Sequence, residues 1–491
     1  MCQKRKTLFC GKGLSPFDEL KYQRLLEGLE ISEVNLKDLN EVETFRIDSD
    51  YFLKKYLKIK TIVENNPDNF TSLSKLELKI DASAFYPSLE PYYNKGNIPF
   101  VRVSDVNNFI DYDNCIKIPK EIVNSNEFST LKIISKGDIV ITKGGSIGRV
   151  SLIEKETAVT RDLIFINSSR LSEMDYICLY VYFNTRFCHD LMVQSSSMTA
   201  QPHLTLTLVK KIPIFNPSNE FKDKVSALFK SSIYKREQAK TTYLLAEALL
   251  LEKLGLQHFQ VPEQAVNLKS FSASFGLSGR LDAEFYQAKY ESYKTKIEAN
   301  GFVKIQDEYS QVKTKSNFDL PNYQYIEIGD VNVSEGSYLF NEIATEELPA
   351  NAKIMVKKGD ILISTVRPNR GAITIIEHER NDLIVSGAFT VLRKKMKSKF
   401  NNEFLKVLLR TEMYKDWLLQ FNVGTSYPVI KDEDVLNLVI PKVNEETQTK
   451  IAQLIQQSNR LREESKALLE EAKYRVELAI EQGESAALAL S

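Results

Sequence analysis

Ser146 stands in a Gly-Gly-Ser-Ile-Gly run at 144–148, a literal match to the GxSxG pattern in which a serine on a sharp turn acts as a nucleophile. That pattern needs a strand before the serine and a helix directly after it. Here the run continues as Arg-Val-Ser-Leu-Ile-Glu at 149–154, which is strand-type sequence again. Only four histidines exist, His189, His203, His258 and His378, and none forms a triad pattern with an acid or a metal-ligand spacing. His203, in Ala-Gln-Pro-His-Leu, reads as a surface or satisfied core histidine, and Ser146 as a hairpin residue. Phe-Cys-Gly-Lys-Gly at 9–13 imitates the S-adenosylmethionine loop, but no βα unit precedes it, and the nearest approach to a methylation motif, Asp-Leu-Pro-Asn-Tyr at 319–323, lacks the second proline. No GxxxxGK[ST] phosphate loop is present. The sequence assigns no catalytic residue, no metal ligand and no bound cofactor.

What remains is recognition chemistry. Between 351 and 400 lie 11 Lys and Arg against four Asp and Glu, whereas 463–491 holds seven Glu against three basic residues. Two glycine-bearing loops, Lys-Gly-Gly-Ser-Ile-Gly-Arg at 143–149 and Val-Arg-Pro-Asn-Arg-Gly at 366–371, combine cations, hydroxyl and amide. Such groups donate to phosphates, and a forked guanidinium reads a guanine edge. A solvated surface hairpin would have the same composition. Overall charge does not decide, since Lys plus Arg and Asp plus Glu both number 65 in 491 residues.

The elements that must position these loops are written twice. Phe-Arg-Ile-Asp at 45–48 returns as Gly-Arg-Leu-Asp at 279–282, setting Arg46 against Arg280 and Asp48 against Asp282. The runs at 100–107, 136–142, 211–221 and 224–228 return in order at 325–332, 358–364, 438–446 and 450–454, at offsets of 222 to 234. A tandem duplication explains this, with loop insertions supplying the drift. Leu-Leu-Glu-Gly-Leu-Glu-Ile at 25–31 resembles Leu-Leu-Glu-Lys-Leu-Gly-Leu at 250–256, so the repeat is cut at an unusual point.

Each copy opens with short β-type runs between Gly, Asn and Ser turns. Helical apolar spacing follows over 174–192 and 402–421. Each copy then passes a proline-marked strand at Pro213 or Pro441 into a long stretch free of Gly and Pro, with Ser218 and Asn444 as helix caps. In the second stretch Ile451, Leu454, Ser458, Leu461, Ser465, Leu468, Ala472 and Ala479 form a helix-pairing seam; the first aligns Val225, Leu228, Ser232, Lys235, Ala239, Thr242, Ala246 and Leu249 with it. A helix over 218–254 is about 55 Å long and needs a partner. The fold class is α+β: two tandem-repeated modules separated and joined by long antiparallel coiled-coil helices, a pseudo-twofold, circularly permuted repeat. The boundaries read as an N-terminal helical arm at 1–30, modules at 31–216 and 257–442, coiled-coil helices at 217–256 and 443–484, and a tail at 485–491. Five scattered cysteines without a CxxC, and no apolar stretch of about 18 residues, fit a reducing, cytoplasmic location away from membranes.

Across essentially its whole length the sequence resembles the DNA-specificity subunit of type I restriction-modification systems. The resemblance is carried by Lys-Gly-Asp-Ile-Val-Ile-Thr-Lys-Gly-Gly-Ser-Ile-Gly-Arg-Val-Ser-Leu-Ile (136–153), by its counterpart at 357–376, and by downstream blocks at 200–218 and 425–442. It implies two target-recognition domains, each reading half of a split site on double-stranded DNA through the major groove. It implies as partners two methylation subunits, holding S-adenosylmethionine and modifying adenine, and usually two ATP- and magnesium-dependent translocating nuclease subunits. The neutral charge then implies that subunits share the phosphate contacts. The candidate DNA contacts are Lys143, Ser146 and Arg149 in the first module and Arg367, Asn369 and Arg370 in the second. A further tier holds Thr199, Gln201, Thr425, Ser426 and Tyr427, with Tyr427-Pro428 standing where the first copy has Gln201-Pro202. A rigid spacer would set the half-sites near one duplex turn, roughly 34 Å apart. Three other readings stay open: the specificity subunit of a type IIB-like system, a noncatalytic coiled-coil scaffold with two protein-binding modules, and a hydrolase using Ser146.

Overall fold

The computed structural model describes all residues except 1–17, 41–45, 87, 124, 197–202, 262–265, 300, 425 and 491. The chain divides into two compact units, 1–230 with 468–491, and 231–467.

Among the described residues the first unit holds ten strands: β1 (Phe70–Ser72), β2 (Ile80–Ala82), β3 (Ile98–Val101), β4 (Ile116–Ile118), β5 (Lys132–Ile134), β6 (Ile139–Thr142), β7 (Val150–Leu152), β8 (Thr157–Val159), β9 (Leu163–Ile166) and β10 (Pro213–Phe215). They form sheets ordered β2-β9-β6-β7 and β4-β3-β8-β5, plus a ribbon of β1 and β10. The second unit holds β11 (Phe302–Lys304), β12 (Tyr309–Gln311), β13 (Asn322–Ile326), β14 (Asn341–Ala344), β15 (Ala352–Met355), β16 (Ile361–Ser364), β17 (Ile373–Ile375), β18 (Leu383–Ser386), β19 (Phe389–Lys394) and β20 (Val439–Pro441). Their orders are β12-β19-β16-β17, β14-β13-β18-β15 and β11-β20. Adding ten to each strand number of the first unit reproduces the second. The parallel pairs, β3 with β8 and β13 with β18, also correspond. The duplication and the α+β class are therefore visible in topology as well as in sequence.

Strands β6 and β16 are buried at every position, which explains their unbroken apolar runs. In β16, Ile361 and Ile363 join a core with Leu405, Leu408 and Trp417, while Leu362 points the other way into a core with Ile326, Leu383 and Val391. The period-2 alternation thus splits one strand between a helix-facing and a sheet-facing core.

The most conspicuous repeated motif, Lys-Gly-Asp, proves architectural. Gly137 and Gly359 take φ of 92° and 89°, where a side chain would be strained. Asp138 and Asp360 each close the turn by accepting from the N–H three residues earlier, Ser135 at 2.9 Å and Lys357 at 2.8 Å. Both are buried: Asp138 also takes the Ser168 N–H at 2.9 Å, and Asp360 takes two bonds of 2.7 Å from Arg393.

The helical spacing over 174–192 is not one helix but two, Glu173–Phe183 and Arg186–Ser195; likewise 402–421 is Asn402–Arg410, Glu412–Leu418 and a 3-10 turn to Phe421. The break falls at Thr185 and Thr411, whose hydroxyls accept from the N–H groups of Cys188 and Tyr414 and donate to Tyr182 and Leu408 carbonyls. A threonine that ends one helix while capping the next leaves no Gly or Pro signal.

The two long helices run Asn219–Lys253 and Glu445–Gln482. Ser218 and Asn444 cap them, accepting from Phe221 at 3.3 Å and Thr447 at 2.8 Å. Within the second unit their segments pair antiparallel: Ser232 and Ser465 each donate a hydroxyl to the other's carbonyl at 2.8 Å, and Ser458 donates to Ala239 at 2.7 Å. Among the expected seam positions Ile451, Ser458, Ser465, Ala472 and Ala479 are buried, but Leu454, Leu461 and Leu468 are only half-buried. Ile455, Leu469 and Val476 are the buried residues beside them. The apolar face is wider than a two-residue seam because the helices also pack on the modules. Lys235 pairs with Glu464 at the seam margin. At the C-terminus Glu484–Leu488 forms a short helix, tied by the buried Arg475 to the carbonyls of Ala487 and Leu490. In the N-terminal arm the described helix is Glu19–Leu26.

The repeated Arg-x-Asp is a forked ion pair in both units. Arg46 donates twice to Asp48 at 2.8 Å, and Arg280 to Asp282 at 2.9 and 2.6 Å. The guanidinium bonds hold both carboxyls below the usual range. Each pair therefore contributes its stability in full above the unfolded Asp pKa of about 3.9, and loses it as pH falls through the lowered native value. Asp282→Asn is expected to flatten the acid limb of stability below about pH 4. Denaturant melts in an acid pH series would show this; an unchanged limb would mean the pair is inert.

Cys115, Cys178 and Cys188 are buried thiols without disulfides, and burial pushes Cys115 and Cys178 up to about 12. They are poor nucleophiles. Among the described residues no helix is long and apolar enough to cross a membrane.

Candidate nucleic-acid interface

Both glycine-bearing loops are hairpin connections on equivalent strands. Residues 143–149 join β6 to β7, and 365–372 join β16 to β17. The chain after Ser146 returns as an antiparallel strand, so the GxSxG run lacks the helix a nucleophile elbow requires.

The first loop is built around the buried Thr142. Its hydroxyl donates to the Ser146 carbonyl and accepts the Arg149 N–H at 2.9 Å, while Gly148 N–H bonds the Thr142 carbonyl at 3.1 Å. Ser146 is exposed near the tip, while at the base Arg149 is exposed opposite Thr142 and Lys143 is half-buried. Lys143 N–H donates to Asp162 at 3.1 Å, and its carbonyl accepts from Leu204 at 2.8 Å. The downstream chain therefore reaches the hairpin at Leu204. Thr199 and Gln201 lie outside the described residues.

In the second module the base of the loop repeats these bonds with Thr365 in place of Lys143. Thr365 N–H donates to Ala388 at 2.9 Å, and its carbonyl accepts from Ile430 at 2.9 Å. Above it the loops differ. Arg367 has φ of 49°, a left-handed conformation costing a non-glycine residue on the order of 1–3 kcal/mol. It is held there by its N–H bond to Pro428 at 2.7 Å, and its guanidinium lies 5.3 Å from the Tyr427 ring. Asn369 and Arg370 occupy the exposed 3-10 turn beyond the buried Pro368. Ser426 and Tyr427 are exposed on the facing loop, and Thr425 lies outside the described residues. The structure thus brings Arg367, Asn369, Arg370, Ser426 and Tyr427 onto one surface made of two adjoining loops. Backbone strain concentrated on an exposed arginine stacked over an exposed tyrosine is a binding-site signature.

Several contributors escape sequence reading. Arg161, exposed beside Asp162, stacks 4.8 Å over the exposed Tyr86 and extends the first surface. Arg410 is 8% exposed and bonds the carbonyls of Gly371, Val333 and Ser334 at 2.9, 2.8 and 2.7 Å, with Tyr243 Oη at 3.1 Å. No local pattern marks them, since each partner lies tens of residues away. A further repeat is Val-Asn-Leu-Lys, at 34–37 and again at 266–269, with Leu36 and Leu268 both exposed. Among the described residues no cluster of three His, Cys, Asp or Glu could hold a metal ion.

Comparison with known proteins follows this geometry. The family model described as the type I restriction modification DNA specificity domain matches residues 78–240 and 293–473. The chain is 33% identical over 139 residues to the type I restriction enzyme HindI specificity subunit of Haemophilus influenzae, covering 28% of this chain and 29% of that protein. It is 26% identical over 195 residues to the MjaIX specificity subunit of Methanocaldococcus jannaschii, covering 38% and 43%. The matched stretch thus spans less than half of either curated relative. Among solved structures, the type I system S subunit from M. genitalium aligns over 84% of this chain and 94% of its own at 13% identity, with a TM-score of 0.37. The HsdS subunit of Thermoanaerobacter tengcongensis aligns over 84% and 94% at 17% identity, with a TM-score of 0.26.

Proposed function

The chain belongs to the type I restriction-modification DNA specificity family, and from that premise we propose that it selects the DNA sequence on which partner subunits act. Each module reads one half of a split, asymmetric site in double-stranded DNA. The observation that carries this reading is one strand order presented twice with different loops, Gly-Gly-Ser-Ile-Gly on one copy and Val-Arg-Pro-Asn-Arg-Gly on the other. A scaffold conserved between copies, with divergent polar and cationic tips, is what reading two different base sequences requires.

The side chains divide by chemistry. Arg367, Arg370 and Arg149 carry guanidinium forks that match guanine O6 and N7, and Asn369 carries the amide that matches adenine N6 and N7. Lys143, Ser146 and Ser426 serve phosphates, and Tyr427 backs the Arg367 fork. Arg161 over Tyr86 joins the first surface in the same role. The chain itself is noncatalytic. Two methylation subunits bring S-adenosylmethionine and modify adenine; two translocating nuclease subunits bring ATP and magnesium; the complex works in the cytoplasm.

The test is base-resolved adenine-methylation sequencing of cells carrying the neighbouring methylation subunit, with and without this gene. A split motif methylated only when the gene is present is the expected result, and exchanging residues 45–216 should change one half of it alone. If both proteins are made and associate but no motif depends on the gene, the reading is wrong and the chain is a scaffold.

A further inference from the structure

The Arg-x-Asp pair of the second module does more than lock itself. Besides its two bonds to Asp282, Arg280 donates to the Asn422 carbonyl at 2.8 Å through the same Nη2 that bonds Asp282, and its guanidinium packs 4.6 Å over the Phe285 ring. Phe285 in turn meets Phe421 edge-on at 6.2 Å, and its carbonyl accepts from Gln420 at 3.0 Å. The segment 280–286 therefore clamps the end of the helical pair 402–421, where the facing loop begins.

Asn422 then closes that loop. Its side-chain oxygen accepts from Gly424 at 2.8 Å and from Val429 at 3.0 Å, so one amide spans the entrance and the exit. Val423 N–H adds a bond to the Val429 carbonyl at 2.8 Å. The closed loop presents the Pro428 carbonyl that holds Arg367 in its left-handed conformation, and the Tyr427 ring beneath the Arg367 guanidinium. A continuous path of bonds runs from Arg280 to the tip of the hairpin, and every step lies in the second unit.

We propose that Arg280 and Asn422 are specificity-positioning residues, fixing the Arg367–Tyr427 pair in its base-reading pose. The inference rests on the DNA-reading role proposed above. Its basis in geometry is that the strained Arg367 backbone is retained through a carbonyl whose loop has, among its described residues, one side-chain closure, Asn422, itself tethered by a forked guanidinium. The arginine tether recurs: in the first module Arg46, paired with Asp48 and 4.7 Å from the Tyr51 ring, donates to the carbonyls of Gln194 and Ser196 at 2.9 and 2.8 Å. That point corresponds in chain order, the end of the second helix of the pair. Neither Arg280 nor Asn422 need touch DNA, so their loss should alter which bases are accepted without removing a phosphate contact.

The experiment uses the assembled complex with its methylation subunits and measures methylation rates on duplexes carrying single-base changes in either half of the site. Arg280→Met and Asn422→Leu are each expected to reduce discrimination in one and the same half at least about tenfold, leaving discrimination in the other half as in the unaltered complex. Asn422→Asp, which keeps the oxygen accepting from Gly424 and Val429, should restore most of it. Arg280→Lys should not, because one ammonium cannot replace the fork. Should Arg280→Met fail to fold, the Asn422 pair decides alone. Equal loss in both halves, or unchanged discrimination in both, overturns the positioning role. An unaltered complex that discriminates in neither half overturns the DNA-reading role instead.

Discussion

Arg410→Met is expected to destabilise the second module by roughly 2–5 kcal/mol, because it breaks a network centred on a buried guanidinium and bonded to one buried and two part-buried carbonyls. Arg410 ties the end of the hairpin, at Gly371, to the turn at Val333 and Ser334 and to Tyr243 on the first long helix. Buried guanidinium is expensive, and here the cost is offset by three carbonyls and a tyrosine whose ring Arg462 also faces at 5.6 Å. Methionine fills the volume but removes the guanidinium bonds, leaving the Gly371 carbonyl with the Ile373 N–H at 2.8 Å. Lysine should recover little, since its single ammonium cannot reach three carbonyls facing a planar fork. The measurement is direct because the chain has one tryptophan, Trp417, and it is buried in this module. Denaturant titration followed by tryptophan fluorescence reports the module alone. A midpoint within error of the original would show that the network contributes nothing net.

Ser465→Leu should be the second severe change, at about 1–3 kcal/mol or somewhat more. Ser232 and Ser465 are 0% and 3% exposed and exchange hydroxyl-to-carbonyl bonds across the helix pair, which is possible only where the backbones approach closely. A leucine has no volume there and must push the helices apart. The lost hydrogen bond is the smaller part, because the carbonyls keep their helical partners. Ser465→Ala should therefore cost no more than about 1 kcal/mol. The same fluorescence titration separates the two: a leucine variant as mild as the alanine variant would mean that the seam is loosely packed.

These contrasts show where sequence is informative. The duplication, the long helices with their caps at Ser218 and Asn444, and the two hairpin loops could be read from the chain, because each depends on local spacing or on self-similarity. The three-residue strands could not: β2 (Ile-Asp-Ala) and β12 (Tyr-Ser-Gln) have no run long enough to show alternation, and exist because a neighbour offers a ladder. Nor could the helix breaks at Thr185 and Thr411, whose side chains serve both helices at once. At the site, Arg367 and Asn369 stand out by type and loop. What holds them does not, since Arg280 meets Asn422 and Arg410 meets Gly371 only after the chain has folded back on itself.

The short ribbons carry one more implication. Strand β1 pairs with β10, Phe70 opposite Phe215, and β11 pairs with β20, Phe302 opposite Pro441. Where the chain enters a module and where it leaves are therefore neighbouring strands, about 5 Å apart. The segment between them can be exchanged without stretching a linker, provided that the Arg46 or Arg280 tether, which precedes the first strand, finds its carbonyl in the new insert. At the level of the gene, each module is a cassette flanked by sequences that its sister copy also carries. One crossover pair in those flanks, with a related gene, would replace the loops of one module at a stroke while the long helices stay as they were.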